Sequence, residues 1–156
     1  MNKRKNGFSL VEILIVIGIV GLILTIVVVI LNLKQAEMRD AKRISDIQVV
    51  RSAMEVIKNE NGSYEKAFCD LTAVSACAQK SSSELLKILP ELSFLNDPKE
   101  RQKACNQKVC LAGSCNYGFT KLDAADYEIL FHLERGSSEF KSSGCYRATP
   151  RGVEKL

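Results

Sequence analysis

The chain has 156 residues, 46% of them hydrophobic and 6% aromatic, with no tryptophan. Its net charge of +4 resides in the first residues: without Lys3, Arg4 and Lys5, nineteen basic side chains face eighteen acidic ones, a net of +1. That balance leaves no electrostatic footprint for nucleic acid, and a single histidine with no nucleophile motif or glycine-rich phosphate loop excludes the common catalytic constellations and calls for no cofactor.

The first element is an apolar helix. After Met1–Gly7 come Phe8-Ser9-Leu10-Val11-Glu12, and from Ile13 to Leu31 there are nineteen residues without charge or proline. A helix rising about 1.5 Å per residue crosses a hydrocarbon core of about 30 Å with such a run. A helix apolar on every side must be buried on every side. A chain of this size cannot enclose it and also build a second core, so the run meets lipid or copies of itself. A secretory signal peptide would need a shorter apolar region and a small-residue cleavage site, and Leu31-Asn32-Leu33-Lys34-Gln35-Ala36 is a poor one. A plain membrane anchor explains the run but not Glu12, since an acidic residue at mid-membrane costs about 2.5–3.5 kcal/mol, less near an interface. Glu12 either complements the helix dipole from the first turn or neutralises an amine, in its own helix or in a neighbouring copy.

The basic leader ending in Gly7, the Phe8 that follows, Glu12 four residues on and the uninterrupted apolar run together resemble the prepilin signal of type IV pilins and of the pseudopilins of type II secretion. The resemblance implies cleavage by a prepilin peptidase between Gly7 and Phe8, methylation of the new Phe8 amine, and a role for Glu12 in subunit joining. It also implies a homopolymeric filament, pilus or secretion assembly machinery as partner, and a precursor held in the lipid of the bacterial inner membrane. Gly18 and Gly21 are points where the helix can loosen or pack closely; Gly21 stands where such pilins commonly carry glycine. Many type IV pilins carry a proline where this chain has Val29, so the resemblance does not extend to a kink there.

From Lys34 to Glu60 there is neither glycine nor proline, and Met38, Ala41, Ile44, Ile47, Val50, Met54 and Ile57 recur at helical spacing. This predicts an amphipathic helix whose charged residues, among them Asp40, Arg43 and Asp46, form a solvated face. Asn61-Gly62-Ser63 ends it, with Gly62 as a left-handed cap. Arg39-Asp40-Ala41-Lys42-Arg43-Ile44-Ser45-Asp46-Ile47 and Glu60-Asn61-Gly62-Ser63-Tyr64 are similar to the matching region of the major pseudopilins, so the resemblance covers about the first 65 residues well and the rest loosely.

In the head, Ser81-Ser82-Ser83-Glu84 predicts a capping box for a helix from Ser82 to Leu89, stopped by Pro90. Strands are predicted at Val109–Ala112, Tyr117–Leu122, Asp126–Glu134 and Tyr146–Ala148. His132 falls on the polar side of its strand. Lys99, Arg101, Lys103 and Lys108 read as a solvated basic loop. Asp123 and Asp126 are the nearest candidates for the calcium site that major pseudopilins often carry, but their spacing is no EF-hand and loop capping accounts for them, so no metal is assigned.

Six cysteines, Cys69, Cys77, Cys105, Cys110, Cys115 and Cys145, all follow the apolar run. An even number in a small domain argues for disulfides and an oxidising compartment. Basic residues are nearly balanced on the two flanks of the run, so the cysteines orient it, amino terminus in the cytoplasm and head outside. Cys105, Cys110 and Cys115 are five apart, where structural zinc sites usually use tighter pairs, so disulfides are preferred to zinc. Six cysteines allow 15 pairings; a local Cys69–Cys77 loop and a tie from Cys145 to the 105–115 group are candidates. The expected fold class is α+β and pilin-like, with a leader at 1–7, an apolar helix at 8–33, an amphipathic helix at 34–61 and a disulfide-rich antiparallel head at 62–156. The competing expectation is an uncleaved, membrane-anchored extracytoplasmic binding domain.

Overall fold

The computed structural model describes residues 9–99, 103–112, 115–137, 140 and 142–156. The chain divides into two compact units, one ending at Gln35 and one running from Ala36 to Leu156. Helix α1, Leu10–Asn61, runs without interruption through Val29. It ends as the sequence predicts: Gly62 takes φ +73° and its N–H donates to the Lys58 carbonyl, a conformation that glycine adopts without a Cβ penalty.

In the second unit α1 packs on an antiparallel sheet. Among the described residues the sheet has four strands, β1 (Gly118–Leu122), β2 (Tyr127–Leu133), β3 (Gly144–Thr149) and β4 (Gly152–Lys155), in the spatial order β1-β2-β3-β4. The register pairs Ile129 with Ala148, Phe131 with Tyr146 and His132 with Cys145. Ile129, Phe131, Leu133, Tyr146 and Ala148 form a buried core with Ile47, Val50, Met54 and Ile57 of α1. Leu130 and Cys145, on the opposite face by strand alternation, pack with Cys105, Cys110 and Cys115 in a second buried cluster. The α+β, pilin-like fold class is therefore the observed one.

Several local expectations need correction. The buried face of α1 in this unit is Ala36, Asp40, Arg43, Asp46, Ile47, Val50, Ala53, Met54 and Ile57. Met38 is 72% exposed and Ala41 is exposed, so the first turns of the predicted apolar stripe face away from the core. Asp40 and Arg43, expected in solvent, are fully buried, and Asp46 is 8% exposed. Val109–Ala112 is no strand: α3 spans Gln107–Leu111, because Asn106 Oδ1 accepts from the Val109 N–H as an N-cap. Helix α2 is shorter than predicted, Glu84–Ile88, and its N-cap is Ser83, whose hydroxyl accepts from the Leu86 N–H and donates to the Ala67 carbonyl. The predicted final strand lengthens to β3, and β4 follows it across a two-residue turn. Lys99 is exposed, as expected of a solvated basic stretch, and its ammonium also pairs with Glu134. Arg101 lies outside the described residues.

Candidate functional site

The Gly7–Phe8 bond lies outside the described residues. From Leu10 to Leu33 every large apolar side chain is at least 39% exposed. This part of α1 is long and apolar enough to cross a membrane. Its one hydroxyl, Thr25, donates to the Leu22 carbonyl at 2.7 Å, so that donor is satisfied within the helix, as an apolar medium requires. Glu12 lies in the first turn of α1, where the free N–H groups favour negative charge. A Cβ at Gly18 or Gly21 would meet nothing within 4 Å among the described residues. The chain's own packing therefore gives no reason for glycine at either position. Residues 2–28 match the family model of the prokaryotic N-terminal methylation motif.

The chain carries a type IV pilin-like prepilin signal. The matched residues include Glu12 and both glycines, and the exposed apolar run extends beyond them to Leu33. No curated protein and no solved structure matches the chain.

In the second unit, the charged residues that follow the prepilin signal converge on one buried cation. The Arg43 guanidinium donates to both oxygens of Asp97 (2.7 and 3.1 Å) and to Asp40 Oδ1 (2.7 Å), and pairs with Glu134 Oε1 at 2.8 Å. Burial works against its charge, but the bonds to Asp97, Glu134 and Asp40 outweigh that and hold its pKa above the ordinary value. Asp40 also accepts the backbone N–H groups of Glu134, Arg135 and Gly136 at 2.8–3.0 Å. Glu134 is gripped by Arg39 through two bonds and by Lys99. The Arg39 hydrogen bonds are the chief reason its carboxyl titrates far below the usual carboxylate range. Beside this group, Asp46 accepts from the Tyr117 hydroxyl and from Lys42. The network ties α1 to the Asn96-Asp97-Pro98 turn and to the end of β2.

Sequence reasoning missed this network. The signal available was spacing: Asp40 and Arg43 continue the Ile47, Val50, Met54 stripe at three- and four-residue steps. The partners, 54 and 94 residues away, gave no local sign.

Among the described residues three disulfides join Cys69 to Cys77, Cys105 to Cys115 and Cys110 to Cys145. The Asp123 carboxylate accepts from the Ala125 and Asp126 N–H groups, and Asp126 pairs with Lys121; both carboxyls titrate below their ordinary values, Asp123 chiefly through the backbone bonds and Asp126 chiefly through Lys121. His132 is half-buried, opposite Cys145.

Proposed function

We propose that this chain is the precursor of a filament subunit of the type IV pilus or type II secretion pseudopilus kind. A prepilin peptidase cuts it between Gly7 and Phe8, and the new Phe8 amine is methylated. The apolar helix holds the subunit in the inner membrane, amino terminus in the cytoplasm and head outside, and the subunit then polymerises through that helix into a periplasmic or surface filament. The observation that carries this reading is an apolar helix, exposed on every side, most of whose apolar run lies within a matching methylation motif.

Burying one large apolar side chain gains about 1.5–3 kcal/mol relative to water. Lipid covers the helix before assembly, so neighbouring helices must replace lipid rather than water, and packing and polar pairing decide whether they do. Glu12 supplies the polar pair: in a staggered array it meets the Phe8 amine of a neighbour, and two charges that are costly singly become one neutral pair. Gly18 and Gly21 offer the close approach that small residues give to membrane helices.

The test is the intact mass of the protein taken from membranes of its own host, unreduced and reduced. A chain beginning at Phe8 with one added methyl supports the reading, and the mass gained on reduction counts the disulfides. A chain beginning at Met1 refutes it and leaves an anchored extracytoplasmic domain. Glu12→Ala separates the same two readings: the membrane level stays as in wild type, and filaments are lost only if the subunit polymerises.

A further inference from the structure

The cysteines of the second buried cluster do more than form two neighbouring bridges. The sulfurs of Cys105, Cys110 and Cys115 lie within 4.8 Å of one another, and the Cys145 sulfur is bonded to that of Cys110. All four residues are at most 2% exposed, walled by Leu130 and Val109. Backbone hydrogen bonds, not only the bridges, hold them there. The Cys105 N–H donates to the Asn116 carbonyl at 2.8 Å and the Asn116 N–H to the Lys103 carbonyl at 2.7 Å, which sets Cys105 beside Cys115. Cys110 sits on α3, and Cys145 is fixed in β3 by its pairing with β2.

We propose that Cys105, Cys110, Cys115 and Cys145, when reduced, form a tetrahedral thiolate site for a thiophilic divalent cation of the zinc class. Zinc–thiolate bonds of about 2.3 Å place four sulfurs about 3.8 Å apart, an arrangement that side-chain rotation opens once the bridges are reduced, since Cys105, Cys110 and Cys115 already converge and Cys145 lies beside Cys110. Four residues separate Cys105 from Cys110, and four separate Cys110 from Cys115, the wide end of the spacing structural zinc sites use. Cys69 and Cys77 belong to the other cluster and stay outside the site. Reduction of each bridge by a phosphine and one water yields two thiols and a phosphine oxide; the four thiols release four protons as the cation binds. In the reverse direction a disulfide oxidant takes two electrons for each bridge formed, and the cation leaves. A head that holds the cation before oxidation keeps these four sulfurs from pairing with Cys69 or Cys77. The 15 pairings open to six cysteines then fall to the three open to four.

The experiment uses the full chain in detergent, reduced anaerobically with a phosphine and titrated with cobalt(II) as a spectroscopic probe. Expected are thiolate-to-cobalt charge-transfer bands and intense tetrahedral ligand-field bands that saturate at one equivalent, are displaced by zinc, and accompany a folded near-ultraviolet tyrosine signal. The Cys69→Ser/Cys77→Ser double variant keeps these bands unchanged; Cys110→Ser or Cys145→Ser loses the four-thiolate spectrum. Absence of the bands at one equivalent overturns the proposal. So does an equal loss in the Cys69→Ser/Cys77→Ser variant, or cobalt binding by a chain whose tyrosine signal is that of an unfolded head.

Discussion

Arg43→Met removes the one fully buried cation among the described residues while keeping much of its volume. Asp97 loses both bonds from the guanidinium. Asp40 keeps three backbone N–H donors, and Glu134 keeps Arg39 and Lys99. The damage therefore falls mainly on Asp97, which is 2% exposed and keeps the Lys99 N–H on Oδ1 but loses its bidentate counter-charge. Removing one partner of a buried ion pair costs about 3–5 kcal/mol, because the remaining charge loses its counter-charge in a buried place. For a unit of this size, at about 4 °C per kcal/mol, the thermal midpoint should fall by about 12–20 °C. The assay is thermal unfolding of the full chain in detergent, followed by near-ultraviolet circular dichroism of the head's tyrosines. Adding Asp97→Leu to Arg43→Met should recover most of the loss, since an apolar pair of similar volume is often as stable as a buried ion pair. A loss below about 1 kcal/mol in the single variant would mean that Arg43 acts as an exposed pair does, and the buried network would not be what holds this end of α1.

Three further outcomes follow from the same geometry. The Glu134 carboxyl titrates below its ordinary 4.5 in the folded chain, so on acidification the unfolded chain takes up that proton first. Stability then falls as pH drops through and below 4.5, and Glu134→Gln should flatten that part of a plot of midpoint against pH. At the alkaline end, burial pushes the hydroxyls of Tyr127 and Tyr64 up to about 12, with Glu55 adding to the rise. The head should lose stability as pH rises from 10 towards 12 with tyrosinate absorbance appearing together with unfolding, and Tyr127→Phe should move that limit upward. A Cβ at Gly118 would lie 2.5 Å from the Cys105 carbonyl oxygen and 2.7 Å from its nitrogen, both backbone atoms. Gly118→Ala should therefore cost about 1–3 kcal/mol, read as a lower urea midpoint with an unchanged slope.

What could be read from the sequence was set by how local its causes are. The apolar run, the helix stop at Gly62 and the central strand each follow from residues within a few positions of one another. Asp40, Arg43 and Asp46 could not be placed inward in that way. A charged residue on a helix is outward by default, and only Asp97 and Glu134, far along the chain, reverse it. Val109 invited a strand because it is β-branched, but Asn106 three residues earlier supplied a cap that decided for a helix. Strand β4 escaped notice because Gly152-Val153-Glu154-Lys155 is too short to show a period. The cysteine count gave disulfides; which sulfurs meet depends on α3 and β3 coming together.

Helix α1 contains no cysteine, and among the described residues the bridges all fall between Cys69 and Cys145. The sheet side of the head is thus sewn to itself, while the helix is joined to it only through the chain at residues 62–68 and through reversible packing. One proteolytic nick in that short connector would leave two pieces under native conditions still bound to each other. Urea alone, with no reductant, would then let the helix slip away from a bridged remnant. Tension applied along α1 would meet its resistance in the same place, in side-chain burial and the Arg43 network, with no disulfide to back them.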